Sequence, residues 1–207
     1  MIDISVALRE GTPEWPGDTA YSCRWTWQVS RGDSVNVSST CGSPHVGTHA
    51  DAPFHIDASW PRVDALPLEA FLGRASVIDV RGRQGPMEQS ALGGGVIAGG
   101  RLLLRTGCTI ADGVFPAEWP WLSSSCVAAL LAGGLRLLGV DAPSVDGRDS
   151  RSLEVHRALF GGGAMVLENL DLRGAPPGDY ELVAAPLRLV GLDAAPVRAV
   201  LRALRPE

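Results

Sequence analysis

The chain lacks a long uninterrupted apolar run, paired cysteines, an excess of positive charge and, most of all, histidine. Each shortage removes a class of function. The longest apolar stretch, Cys126 to Val140, is broken by Gly133-Gly134 and Arg136, so it is too short and too interrupted to span a bilayer. The four cysteines (Cys23, Cys41, Cys108, Cys126) are far apart and form no CxxC pair, which argues against a zinc ribbon or a thioredoxin-type redox site. Met1-Ile-Asp-Ile-Ser-Val6 carries an early acid and no basic residue, unlike a signal peptide. The net charge is -5, with both signs scattered, so there is no electrostatic footprint for nucleic acid. These shortages lead to the expectation of a cytoplasmic protein with a small-molecule substrate and neither nucleic acid nor membrane as partner.

What is present suits an ordinary globular protein. At 207 residues and 45% hydrophobic content, the chain can bury a core without disulfides, and a single domain is the default. Ile2 to Val6, Cys23 to Val29 and Val35 to Thr40 read as strands, the last two joined around Arg31-Gly-Asp33 as in a hairpin. From Leu68 onward, strand-length apolar runs (Ala75 to Val80, Arg101 to Leu104, Leu135 to Val140, Met165 to Leu167) alternate with helix-like stretches. Those stretches are Glu88 to Leu92, Ser123 to Ala132 and Leu153 to Leu159. Tyr180 to Val190 is strand-like but interrupted by Pro186. Val197, Val200, Leu201 and Leu204 have helical spacing, although Pro196 and the β-branched residues also allow a strand. The alternation predicts a single α/β domain, residues 1–207, with a mixed sheet.

Three of the four histidines fall in one thirteen-residue segment, Ser43-Pro-His-Val-Gly-Thr-His-Ala-Asp-Ala-Pro-Phe-His55. Pro44, Gly47 and Pro53 oppose regular structure, so the segment is expected to be a loop. Imidazole and carboxylate together suit zinc or another borderline divalent ion. An extended chain would hold His45 and His49 roughly 13 Å apart, too far for one ion, so the backbone must turn, and Gly47 permits that. Asp51 is close enough to His49 to join the same ion, and its second oxygen is free to serve a neighbouring one. His156 and Glu168, arriving from elsewhere, would complete the shell of the second ion; on residues alone each reads equally well as a solvated helix residue or a strand-end carboxylate. His55, beyond Pro53, is better placed outside the coordination shell as a proton carrier.

The pattern His45-x-Gly-Thr-His49-x-Asp51-x-Pro53-x-His55 resembles the signature of the bacterial kynurenine formamidase (arylformamidase) group within the metal-dependent cyclase-like hydrolases. Trp15-Pro-Gly-Asp18, Ser34-Val-Asn-Val37, Asp141-Ala-Pro-Ser144, Pro177-Gly-Asp-Tyr-Glu-Leu182 and Leu192-Asp-Ala-Ala-Pro-Val-Arg-Ala-Val200 extend the resemblance over nearly the whole chain. The resemblance implies a swivelling β/β/α-like fold, a homodimer and two divalent ions, zinc first with manganese or cobalt also accepted. It assigns His45, His49 and Asp51 to one ion, and Asp51, His156 and Glu168 to the other. It makes His55 the proton donor and acceptor, and Trp15 an aromatic wall for the substrate. By composition alone, Trp15 would read as a core or turn residue. The implied reaction is hydrolysis of N-formyl-L-kynurenine to L-kynurenine and formate. Two departures, Gly107 to Trp121 and the triplet Glu168-Asn-Leu170, keep a related substrate open, such as the cyclic amide isatin. A metal-binding protein without turnover is the third reading, and His55 argues against it.

Overall fold

The computed structural model describes residues 1–93 and 98–204. In chain order the strands are β1 (Ile2–Asp3), β2 (Ser22–Trp27), β3 (Val37–Cys41), β4 (His49–Asp51), β5 (Leu72–Asp79), β6 (Pro86–Met87) and β7 (Arg101–Arg105). After them come β8 (Trp121–Leu122), β9 (Leu137–Val140), β10 (Met165–Glu168), β11 (Gly178–Val183), β12 (Ala194–Pro196) and β13 (Val200–Ala203). Among the described residues two α-helices interrupt them, α1 (Ser124–Ala132) and α2 (Glu154–Gly161).

Nine strands form one mixed sheet in the order β1-β13-β11-β5-β7-β9-β10-β4-β12. The middle four, β5, β7, β9 and β10, run parallel, and antiparallel strands extend both sides. Their sequences explain the centre: Leu102-Leu-Leu104 and Leu137-Leu138 are apolar on both faces, as parallel strands covered on both sides require. Alternation then separates two cores. Leu103, Leu137 and Leu167 face one layer with Phe71, Leu182 and Leu201. Leu102, Leu138 and Val166 face the other, against Val127, Leu130, Leu159 and Phe160 of the two helices.

The α/β reading with a mixed sheet is borne out. Ser123 caps α1 by accepting from the Cys126 N–H, and its run ends at Gly133-Gly134, with Gly134 at φ +87°. β2 and β3 pair antiparallel as a separate ribbon around a tight turn closed by Gly32 at φ +95°. Some boundaries differ. Glu88 to Leu92 contains only a 3-10 turn, Gln89–Leu92. Strand β11 stops at Val183, before Pro186, which keeps only an isolated bridge to Val197. Within the Val197–Leu204 segment, Val200–Ala203 form strand β13, which pairs with β1 and β11 and buries Leu201 in the core.

The largest correction concerns the histidine segment, expected to be loop throughout. Residues His49–Asp51 are strand β4, paired on one side with β10 and on the other with β12. The prolines and Gly47 lie just outside this short strand, so they do not prevent it. Its register sets His49 opposite Glu168 and Ala50 opposite Leu167. Ala50 enters the first core, so His49, Asp51 and Glu168 point together to the helix-covered face.

Candidate metal centre

Each functional side chain is aimed by a local feature of the chain. Gly47 turns the backbone at φ +75°, a conformation that favours glycine, and brings His45 back toward His49. Thr48 fixes this turn: its hydroxyl accepts from the Val6 N–H at 2.9 Å and donates to the Asn169 carbonyl at 2.5 Å. His49 Nδ1 lies 2.9 Å from the Gly47 carbonyl, to which it must donate. That leaves the Nε2 lone pair facing the site.

From the helix layer, α2 buries one face made of Val155, His156, Leu159 and Phe160. His156 therefore points at the sheet rather than at water. Asp146 aims it further, accepting from His156 Nδ1 at 2.6 Å and from the Val155 and His156 N–H groups at 2.9 and 3.1 Å. Because Leu153, at the N-cap position of α2, offers no side-chain cap, Asp146 serves as both helix cap and ring orienter. Glu168 ends β10 and accepts from the Val145 N–H at 2.8 Å.

The structure gathers His45, His49, Asp51, His156 and Glu168. His45 Nδ1 and His49 Nε2 stand 3.0 and 3.2 Å from Asp51 Oδ1. His156 Nε2 is 3.2 Å from Asp51 Oδ2 and 3.3 Å from Glu168 Oε1, and His49 Nε2 is 3.6 Å from Glu168 Oε2. Two donor triads result, His45/His49/Asp51 and Asp51/His156/Glu168, with Asp51 common to both. These five are the residues singled out in the sequence as metal donors, and the fold brings them within reach of one another.

A metal fits these residues on one specific observation. His49 Nε2 and Asp51 Oδ1 are buried and have no hydrogen-bond partner despite their proximity. Buried polar atoms rarely go unpaired, because each costs about 1–3 kcal/mol. Lone-pair atoms that crowd together without bonding one another are aimed at a shared point, as ligands are. The electrostatics agree. Burial opposes charge on His45, yet Asp51 and Asp193 outweigh it and push its pKa up to about 10. Burial likewise opposes charge on His156, and Asp146, Asp51 and Glu168 overcome it. Burial pushes the Asp51 carboxyl up, and the surrounding imidazoles hold it well below the carboxylate range. The buried carboxylates thus demand positive charge, which imidazole protons or a divalent cation can supply. Nitrogen and carboxylate donors suit zinc and its first-row neighbours.

His55 ends a 3-10 turn, Pro53–His55, and is more exposed than the three other imidazoles. Its ring lies 4.5 Å from that of His45 and 6.1 Å from that of His156. A cavity of about 320 Å³ opens over the donors, bounded by His45, His49, His55, Trp15, Phe115 and Asn169 among others. Trp15 stacks edge-on with Phe115 and Trp119, at 5.5 and 5.9 Å between ring centres. The Gly107–Trp121 segment therefore does line the pocket, through Phe115. A larger cleft of about 840 Å³ lies beyond Asp146, and no histidine lines it.

Sequence reasoning missed Asp146 and Asp193. Asp193 Oδ2 is 2.9 Å from His45 Nε2 and 3.5 Å from His55 Nδ1. Asp193 stands in a block already noted for its resemblance, and Asp146 lies two residues beyond another. Proximity to such blocks was the only signal available, because aspartates in glycine- and proline-rich loops are usually turn residues.

A family model described as "Cyclase: Putative cyclase" matches residues 2–147. A kynurenine formamidase from Salinibacter ruber (strain DSM 13855 / M31) is 43% identical over 98% of this chain and 97% of its own. A solved "Potential Metal-Dependent Hydrolase With Cyclase Activity" superposes with TM-score 0.83 at 26% identity, covering 99% of this chain and 98% of that one. Isatin hydrolase A from Ralstonia solanacearum shares the fold, with TM-score 0.81 at 21% identity over 97% of this chain and 90% of its own. With the family model spanning most of the chain and a relative this similar over nearly all of it, the chain belongs to the cyclase family.

Proposed function

We propose that this protein is a metal-dependent arylformamidase that hydrolyses N-formyl-L-kynurenine to L-kynurenine and formate. The observation that carries the reading is the donor cluster with its two orphaned atoms, found in a chain 43% identical to a kynurenine formamidase end to end. His45, His49 and Asp51 would hold one divalent ion, and Asp51, His156 and Glu168 a second, with zinc the best match to the donors. Ions held there supply Lewis acidity, making water a nucleophile at neutral pH and drawing charge from the scissile carbonyl.

The chain's own residues do the remaining work. Trp15 and Phe115 offer flat apolar walls to the substrate's aryl ring and keep bulk water from it. A cavity of about 320 Å³ is at the lower end of small-molecule sites, which suits one substituted ring. His55 faces the cavity and is not in either donor triad, so it is free to move a proton. It takes one from the attacking water and returns one to the aniline nitrogen as the C–N bond breaks, giving a neutral amine and formate. Similarity to isatin hydrolases at this identity extends to the fold alone, so the linear formyl amide is favoured. Like the family, the protein is read as a homodimer. Among the described residues, no helix is long and apolar enough to cross a membrane.

The test is release of kynurenine from N-formyl-L-kynurenine by protein stripped with a chelator and reconstituted with zinc, manganese or cobalt, with isatin as comparison. Turnover of isatin but not of the formyl amide would move the substrate assignment to the cyclic amide. In His55→Ala, kcat is expected to fall about 10²–10⁴-fold with metal content unchanged; full activity would remove the role given to His55.

A further inference from the structure

A third group of convergent donors, His45, His55 and Asp193, lies beside the two triads but differs from them in how its atoms are satisfied. In the triads, His49 Nε2 and Asp51 Oδ1 are buried and unpaired. In the third group, Asp193 Oδ2 makes hydrogen bonds with His45 Nε2 at 2.9 Å and His55 Nδ1 at 3.5 Å. An ionised carboxylate has no proton to give, so both rings must donate to it.

We infer that Asp193 is a positioning residue for the proposed reaction, using one carboxylate oxygen to set the tautomer and orientation of both a metal-donor histidine and the proton carrier. With the proton of His45 on Nε2, its Nδ1 lone pair is left for the donor cluster, where it lies 3.0 Å from Asp51 Oδ1. With the proton of His55 on Nδ1, its Nε2 is left as the basic atom. The carboxylate itself is anchored by its backbone. The Asp193 carbonyl accepts from the Ala52 N–H at 2.8 Å, and β12 begins at the next residue, with Ala194 in register with Asp51. The sheet therefore delivers Asp193 in fixed register with β4. The role in turnover rests on the arylformamidase reading; the tautomer assignment does not.

Two measurements on zinc-reconstituted protein and the Asp193→Asn variant test the inference. Asparagine keeps the shape and the backbone anchor but loses the charge that selects the ring N–H. With only four histidines in the chain, ¹⁵N-imidazole spectra resolve each ring, and His55→Gln assigns the signals of His55. In the parent protein, the neutral His55 ring is expected to carry its proton on Nδ1. In Asp193→Asn the signal should shift toward the Nε2–H tautomer, kcat should fall about 10–100-fold, and KM should stay within about twofold. A His55 tautomer unaffected by Asp193→Asn would overturn the inference whether or not any amide is hydrolysed. A bound ion lost from Asp193→Asn while the His55 signal is unmoved would also overturn it, because Asp193 would then be a ligand. If the parent turns over no formyl amide, the arylformamidase reading fails and the spectra alone decide the tautomer assignment.

Discussion

Asp146 and His156 are joined at 2.6 Å, and the same carboxylate caps the helix on which His156 rides. One side chain thus fixes where α2 starts and which ring nitrogen of His156 faces Asp51 and Glu168. Burial pushes the Asp146 carboxyl up, and the His156 hydrogen bond with the two helix N–H groups brings it below its ordinary value. Asp146→Asn is expected to weaken metal affinity about 10–100-fold, because the His156 tautomer is no longer enforced. Asp146→Ala should add a loss of about 1 kcal/mol from the uncapped helix. Metal titration and thermal melts of the metal-stripped protein separate the two effects. Equal metal affinity in Asp146→Asn and the parent would show that α2 alone positions the ring.

Gly47 is constrained by its backbone and by space. It sits at φ +75°, and a Cβ there would approach Leu8 Cδ2 to 2.5 Å. Leu8 is partly exposed and can swing aside, so the left-handed conformation is the larger cost, roughly 1–2 kcal/mol. Gly47→Ala should therefore lower Tm, Gly47→Asn should lower it less, and adding Leu8→Ala to Gly47→Ala should restore little. Full rescue by Leu8→Ala would place the cost in the contact instead.

Metal removal should reach both activity and stability. Asp51 and Glu168 are buried carboxylates beside the same histidines, and a divalent ion binding only the folded chain at a hundred times its Kd stabilises by about 2.7 kcal/mol. For a chain of this size that corresponds to a Tm shift of roughly 5–10 °C. Melts with chelator and with added zinc read it directly, and coincident curves would exclude a folded-state metal site.

The acid limb of stability contains a contribution that can be isolated from the site. Asp171 is hydrogen-bonded by Arg173 at 2.8 and 2.7 Å, which is the first cause of its lowered pKa, with burial opposing. A carboxylate lowered in the folded state stabilises above its unfolded pKa near 3.8, and that contribution is lost as pH falls through the folded value. Arg173 is half exposed, so solvent screening limits the pair to under about 1 kcal/mol. Arg173→Ala should lower Tm slightly at pH 7, and the difference from the parent should shrink as pH falls through the folded value of Asp171. A deficit that persists in acid would point to lost packing by the arginine stem.

Some of this architecture was legible in the sequence, because it depends on neighbours along the chain. The helix-like stretch from Ser123 to Ala132, broken by Gly133-Gly134, marks α1, and the apolar runs at Leu102 and Leu137 mark central strands. The spacing of His49 and Asp51 places both on one face of any extended segment, and Gly47 is where the backbone must turn to bring in His45. Even the pairing of His156 and Glu168 with that motif could be expected from a family resemblance. The tertiary structure decided the rest. That His49–Asp51 is a strand follows from β10 and β12 on either side, with Glu168 opposite His49 and Ala194 opposite Asp51. Register is set by the summed packing of the whole sheet, so no local pattern encodes it. The same holds for Asp146, Asp193 and Phe115. Each reads locally as a turn or loop residue, and each acquires its place only when distant strands and α2 bring it against a histidine or the cavity.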